Sequence, residues 1–446
     1  MSRLNLLRLF RGSIVFIFVF SIFNDNLLVD IFGENVLKGI FLLFIVVNLR
    51  RLYLNILNWR MLRNIVPFFI FLILTYFIML INFAGFERLL ENSFLWISML
   101  VIVVYFINYD INEVVYMIWA SLIISSIYAF FSQPISEWTF RKTGGTGDPN
   151  EFAAQLLSVL PLSVYLFTVI KSMVYKTIVI CVSLAVFIYA LFIAGSMSGF
   201  LMLGFLIPVV LIRFMSLSFT KSLMVIGLGL LMFMISLLVF QEKLENTEAV
   251  QNMLGRTQET GTAQTRLNSW KAGINMFIEQ PFLGVGMRQY AEYSPKYSKT
   301  FLSSDSVAPH NMFIEVLAES GIIVFIAFVI FLIDLMSRYF NEIRRSSYFW
   351  LYLSLLAYIL MGFTLGITYN KFMWLSVAIL MNVHRIFRTS PENEAEEDRS
   401  FTRKIIDLKE ESTFTYRDRE EKPLQEKLLE EKPFREKLLK GNARNR

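Results

Sequence analysis

Long apolar runs, rather than alternation, dominate the pattern of this chain. Stretches rich in Ile, Leu, Val and Phe recur at 12–31, 36–49, 65–82, 94–107, 114–131, 151–170, 177–194, 199–212, 222–240, 311–335, 348–366 and 370–387. A helix needs about 20 mainly apolar residues to cross the hydrocarbon of a bilayer. In that solvent every backbone N–H and C=O must be satisfied within the protein, so such runs become helices. The pattern predicts an all-α polytopic membrane protein with about twelve transmembrane helices. The first run follows Arg3, Arg8 and Arg11 as in a secretory leader. Asn24-Asp25-Asn26 then leads on to Leu27-Leu28-Val29 without a small-residue cleavage site, so the run reads as a retained span.

Two longer polar stretches interrupt this pattern. They divide the chain into a nine-helix membrane region (1–240), a large loop (241–310), a three-helix membrane region (311–387) and a charged tail (388–446). Cations set the direction. One set of short loops holds Arg50, Arg51, Arg60, Arg63, Lys171, Lys176, Arg213, Lys221, Arg338, Arg344 and Arg345; the other holds Arg88, Arg141, Lys142 and Lys371. Cations in short loops mark the cytoplasmic side, and long loops are exempt from the rule. Both termini are therefore expected in the cytoplasm, with the 241–310 loop on the outer, extracytoplasmic side. The tail repeats a decapeptide, from Glu420 to Leu429 and again from Glu430 to Leu439. Two copies are too few for a solenoid. A solvated, largely disordered tail is expected, with a partner-docking or membrane-surface helix as the other reading.

Composition agrees with a lipid environment. The chain is 55% hydrophobic and 17% charged, with 44 Phe, whereas soluble domains average about 45–50% and about 25%. A net charge of +6 over 446 residues gives no nucleic-acid signature. Cys181, the single cysteine, lies in an apolar run and excludes an intramolecular disulfide and a Cys-based metal site. Two histidines cannot build a multi-His zinc cage. No metal or cofactor is expected. His384, beside Arg385, reads as an inert interfacial residue.

Four features on the expected outer side could carry chemistry. The first is Arg141-Lys142-Thr143-Gly144-Gly145-Thr146-Gly147-Asp148-Pro149-Asn150-Glu151-Phe152. Its glycines allow close backbone approach, and Asp148-Pro149 reads as the N-cap and first residue of the sixth span. The helix end favours an anion; a flexible loop with a well-formed cap fits equally. In the second, Leu267, Trp270, Ile274, Phe277 and Ile278 recur at helical spacing after Arg266. They predict an amphipathic helix lying flat on the outer surface, its Arg266 touching headgroups or gripping a phosphate. The third is a turn, Pro281-Phe282-Leu283-Gly284-Val285-Gly286-Met287-Arg288, with no preceding strand to make it a dinucleotide fingerprint. The fourth is His310-Asn311 opening the tenth span, with Glu315 and Glu319 one turn apart on one face. A carboxylate at membrane depth is a functional hypothesis, and an imidazole with a pKa near 6.5 can serve as a neutral base; a helix-start residue is the plainer reading of His310.

Taken together, these residues resemble the bacterial O-antigen ligase/polymerase family. The resemblance rests on Arg266, Trp270, the Pro281/Gly284/Gly286 turn, and His310-Asn311 followed after nine residues by Gly321. Asp148-Pro149-Asn150-Glu151-Phe152-Ala153 is similar to the family's pattern before its sixth span. Two positions depart from the family. Gly195-Ser196-Met197-Ser198-Gly199 lacks the Arg often found between the seventh and eighth spans, and Gly321-Ile322-Ile323-Val324 lacks the usual second glycine. Ligase and polymerase both stay open.

The resemblance implies a glycosyltransferase of the bacterial cytoplasmic membrane. It implies an undecaprenyl-diphosphate-linked glycan as donor, a glycan or glycolipid as acceptor, and no metal. Arg266, with Arg141 and Arg288, would hold the diphosphate; His310 would take the acceptor proton, oriented by Asn311 or Glu315; Asn150 and Trp270 would line the substrate. Two other classes are carried alongside. A transporter or flippase of lipid-linked glycan would show matching halves and a midplane site, which this sequence does not display. A scaffold of a polysaccharide export complex would use the tail to dock chain-length or export proteins.

Overall fold

Apolar runs that must satisfy their own backbone have one local solution, and the computed structural model adopts it: it is helical, with no strand among the described residues. Those residues are 3–58, 65–82, 85–134, 141–215, 261–297 and 308–388. In chain order the helices are α1 (Arg3–Phe23), α2 (Asp25–Phe32), α3 (Asn35–Leu57), α4 (Val66–Ile81), α5 (Phe86–Phe106), α6 (Ile111–Phe131), α7 (Pro149–Val169), α8 (Met173–Ala194) and α9 (Met197–Met215). After the 216–260 stretch come α10 (Gly261–Glu279), α11 (Tyr290–Tyr297), α12 (Met312–Ser337), α13 (Phe340–Ile343), α14 (Phe349–Met361) and α15 (Lys371–Arg388). The expected ninth span, 222–240, the 241–260 and 298–307 parts of the loop and the repeat-bearing tail lie outside the described residues.

Among the described residues six helices are long and apolar enough to cross a membrane: α3, α5, α6, α7, α8 and α12. Their outer faces suit lipid. On α12, Ile323, Ile326, Ile330 and Ile333 follow one another at helical spacing and are all half exposed or more, a stripe that water would penalise and lipid accepts. Several expected spans come out differently. The run 12–31 is two helices, α1 and α2, meeting at 101°. The runs 65–82, 199–212 and 348–366 yield the shorter apolar helices Val66–Ile81, Met197–Arg213 and Phe349–Met361, less than the roughly 20 residues a straight crossing takes. The run 370–387 becomes α15, whose residues from Phe372 to His384 are buried without interruption. It is a central helix with no lipid face over that length. His384 is accordingly interior, 2% exposed, rather than interfacial.

Aromatic packing ties the centre together. Phe71 of α4 and Phe331 of α12 stack on Trp374 of α15, with centroids 5.8 and 6.2 Å away. Phe68 lies 5.3 Å from the same indole. On the other side α7 packs against α8 and α14.

Two helix breaks position the candidate site residues. The first is Asn24, between α1 and α2. Its main chain leaves the helical region, and the glycine loop fills the corner. Asn26 N donates to Gly145 O at 3.0 Å, and Gly145 N donates to Ser125 Oγ at 2.9 Å. A Cβ on Gly145 would lie 2.6 Å from Asn24 Cα, and one on Gly147 would lie 1.8 Å from Asn26 Nδ2. Gly145 admits the Asn24 backbone and Gly147 the Asn26 side chain.

The second break is inside α12 at Gly321, where φ is 72° and ψ −178°. The freed carbonyls are claimed by the turn of 281–286. Val285 N donates to Ala318 O and Gly286 N to Glu319 O, both at 2.9 Å, while Ile322 N donates to Pro281 O at 2.8 Å. Gly284 and Gly321 both have positive φ and meet opposing backbone so closely that a Cβ on either would come within 2.4 Å of it. The Pro281-x-x-Gly284-x-Gly286 pattern and the distant Gly321 are thus two halves of one backbone joint. Replacing Gly321 with Ala should cost more than about 3 kcal/mol, from the strained φ and the clash with Phe282 O, and lower the melting temperature in detergent sharply. Gly12 in α1 has open space around it, so Gly12→Ala should be neutral or stabilising by about 0.5–1 kcal/mol.

Candidate functional site

The joint at Gly321 docks α10 onto α12 and α11. The face that docks is Ser269, Ala272, Gly273 and Met276, all buried. A Cβ on Gly273 would reach Ile314 Cγ2 at 2.5 Å and the Tyr290 ring at 3.1 Å, and Tyr290 Oη donates to Ser269 O. Burial of Tyr290 pushes its phenol well above the ordinary range, so it stays a neutral donor. The expected apolar face behaves in the opposite way: Leu267, Ile274 and Ile278 are left exposed. A helix expected to lie flat on a surface is anchored to the protein through its small residues instead.

Glu319 locks this arrangement. One carboxylate oxygen accepts from Tyr290 N at 3.1 Å; the other accepts from Arg288 N at 2.8 Å and from the Tyr369 hydroxyl. The carboxylate therefore caps the start of α11. Segment 82–92 holds the same turn from outside: Asn82 Nδ2 donates to Leu283 O at 3.0 Å, Asn92 Nδ2 donates to Met287 O at 3.3 Å, and Arg88 pairs with Glu292.

The docking of α10 sets Arg266 near His310. Both are half-buried. Burial lowers the His310 pKa below its usual value; the Arg266 guanidinium lowers it further, and the Asp148 carboxylate opposes both. Burial likewise lowers Arg266, again opposed by Asp148. Three segments far apart in sequence thus bring a guanidinium, an imidazole and a carboxylate within electrostatic reach of one another. His310 has φ 47°, a conformation uncommon for residues other than glycine. It is held there by the cap that follows: Asn311 Oδ1 accepts from Phe313 N and Ile314 N at 2.9 and 3.1 Å, and its Nδ2 donates to Phe363 O at 3.2 Å.

The remaining expected site residues divide. Arg141 is fixed from two sides: Nε donates to Ala194 O at 2.8 Å, and Nη2 donates to Asn150 Oδ1 at 2.8 Å. It lies against Gly195, in the turn between α8 and α9 that has no cation of its own. Asn150 is its holder, two residues from Asp148. Trp270 lies one turn beyond Arg266 on α10; its indole N–H is buried with no acceptor among the described residues. Two residues serve elsewhere. Asn311 is committed to capping at both ends of its amide. Glu315 is buried against Gly366 and Thr368 rather than beside His310. The Arg288 side chain is half exposed, 3.9 Å from Glu91, and its backbone belongs to the Glu319 clamp. Asp148 was legible in the sequence only as a cap, and Tyr369 carried no signal at all. Among the described residues no cluster of His, Cys, Asp and Glu could hold a metal ion.

Glu319→Leu should leave the Arg288 and Tyr290 amides without a buried acceptor, costing about 2–4 kcal/mol. The loss is readable as a lower melting temperature, with Glu319→Gln intermediate.

No curated protein matches the chain. Residues 182–329, which include Arg266, Trp270, Arg288, His310 and the whole backbone joint, match the family model described as O-Antigen ligase.

Proposed function

We propose that this protein transfers a glycan from undecaprenyl diphosphate to an acceptor hydroxyl at the outer face of the bacterial cytoplasmic membrane, without a metal. The observation that carries the reading is the convergence of Arg266 and His310 in a chain whose 182–329 segment matches the O-antigen ligase family. The cation asymmetry of the short loops supports the outward side for these residues.

Chemistry follows from the groups. The acceptor oxygen forms a bond to the anomeric carbon as the bond from that carbon to the diphosphate oxygen breaks. The electron pair leaves with the diphosphate, and the acceptor proton goes to His310. Negative charge grows on the leaving oxygen, and Arg266 meets it with a planar fork suited to phosphate. Arg141, held by Ala194 and Asn150 at the α8–α9 turn, supplies a second guanidinium. Each hydrogen bond to a charged group contributes about 1.5–3 kcal/mol, so two guanidinium groups supply a useful part of the barrier reduction. Trp270, half-buried one turn beyond Arg266, offers its indole ring to the sugar. Arg288, whose backbone is held by Glu319 while its side chain stays half exposed, offers a third guanidinium to the donor.

Burial and Arg266 keep His310 neutral, as a base must be. Its pKa is lowered, so the neutral form persists as pH falls through 6.5 and is lost only below that value. Transfer by reconstituted vesicles should therefore hold its rate at pH 6.5 and fall only in more acidic buffer. His310→Ala should reduce the rate by about 10²–10⁴-fold, and Arg266→Ala should weaken donor use as well as turnover. Full transfer by His310→Ala would remove the base; unimpaired donor binding by Arg266→Ala would remove the phosphate role. The glycolipids of a deletion strain separate the two activities: single repeats left on the carrier mean polymerase, long chains on the carrier mean ligase.

A further inference from the structure

Residues 362–370, between α14 and α15, touch the supports of His310, Arg266 and Arg141 in turn. At their start, Gly362 O accepts from Met312 N at 2.8 Å, and Phe363 O accepts from Asn311 Nδ2 at 3.2 Å. Both bonds hold the chain directly after His310. Further on, Thr368 O accepts from the Trp374 indole N–H at 2.9 Å, which ties the segment to the central helix α15. The next two residues reach two different carboxyl groups. The Tyr369 hydroxyl donates to Glu319 Oε2, and Glu319 also takes Arg288 N and Tyr290 N at the joint that seats α10. Asn370 Nδ2 donates to Glu151 Oε1 on α7. Glu151 follows Asn150, whose Oδ1 holds Arg141. Asn370 is itself fixed, because its Oδ1 accepts from Phe372 N at 2.8 Å and caps α15. Consecutive residues, about 3.8 Å apart at Cα, thus pin α12 and α7 to one short stretch of backbone. The main packing partners of the two helices differ: α8 and α14 for α7, α4 and α10 for α12.

We propose that Tyr369 and Asn370 are positioning residues that together set the separation of Arg141 and Arg266. The proposal rests on the catalytic reading above, in which both guanidinium groups grip one diphosphate. Side chains that share a ligand must keep their spacing, since a displacement of about 1 Å can cost on the order of 10²-fold in rate. Arg141 takes its place from Ala194 and Asn150. Arg266 takes its place from the docking of α10, which the Glu319 clamp locks. Asn370 reaches the first support and Tyr369 the second. Neither residue touches the diphosphate or the acceptor, and neither moves a proton. They act through Glu151 and Glu319, and the bonds at Gly362 and Phe363 bring the start of α12 into the same frame.

Cap and bridge can be separated at Asn370, because Asp caps a helix about as well as Asn. Asn370→Asp keeps the acceptor for Phe372 N and sets an acceptor, not a donor, against Glu151. Adding Glu151→Gln restores a donor–acceptor pair with its direction reversed. Tyr369→Phe removes only the hydroxyl that reaches Glu319; it is nearly isosteric, so it carries the test if Asn370→Asp does not fold. The separation is read by double electron–electron resonance on full-length protein in lipid nanodiscs. Spin labels go on Lys142→Cys, whose backbone is tied to Ile193 O, and on Leu267→Cys, which is exposed beside Arg266, with Cys181→Ser to remove the native thiol. The labelled parent should give one narrow distance. Asn370→Asp and Tyr369→Phe should each shift or broaden it, and Asn370→Asp with Glu151→Gln should bring it back. With polyprenyl-diphosphate glycan extracted from cells lacking this protein as the donor probe, unlabelled Asn370→Asp should lose about tenfold or more in kcat/KM, and the double variant should recover most of the loss. Variants that keep the distance, or that shift it without loss of rate, would overturn the positioning role alone, whatever their melting temperatures. A wild-type chain that transfers no glycan would overturn the catalytic reading and the positioning role with it.

Discussion

A helix cannot be broken in an apolar surrounding unless something satisfies the backbone groups it frees. The break at Gly321 meets that requirement from one source, the turn 281–286, through three main-chain hydrogen bonds. Most of the site geometry follows from this joint. The turn ends α10 on one side and begins α11 on the other, so fixing it against α12 also fixes α10. Arg266 is carried on α10, and His310 stands at the start of α12. The relative placement of α10 and the start of α12 is thereby set by backbone hydrogen bonds. Glu319 adds a buried carboxyl group, tying Arg288, Tyr290 and Tyr369 to the same point.

A second corner mirrors the first. At Asn24 the apolar N-terminal run bends, and the glycine loop before α7 fills the bend. That contact holds Asp148 as the Gly321 joint holds Arg266. The charged groups thus sit on three rigid supports, one of them pinned to α1 and α2, the others to α12. Rigid support matters because a guanidinium and an imidazole repel one another once the imidazole is charged.

Much of this was readable from the chain alone, and the failures have physical reasons. Apolar runs identified most of the helices, because in lipid a helix is the local solution for such a run. The breaks at Asn24 and Gly321 were not visible, since each is stabilised by residues remote in sequence: Gly145 and Gly147 for one, Pro281 to Gly286 for the other. The length of an apolar run does not reveal whether it faces lipid or protein, so the run 370–387 reads as an ordinary span although α15 is buried from Phe372 to His384. The docking face of α10 was misjudged because hydrophobicity pointed to Leu267, Ile274 and Ile278, whereas close helix packing selects small residues such as Ala272 and Gly273. Arg266 and His310 stood out by residue type. Asp148 did not, because its role as a helix cap already explained its presence.

The most direct measurement is the position of a bound polyprenyl diphosphate in an experimental structure of the reconstituted protein. The predicted result is a diphosphate within hydrogen-bonding distance, about 3 Å, of the Arg266 guanidinium, on the same side of the membrane as His310. A diphosphate bound away from Arg266, or an Arg266 and His310 opening to opposite sides of the bilayer, would contradict it.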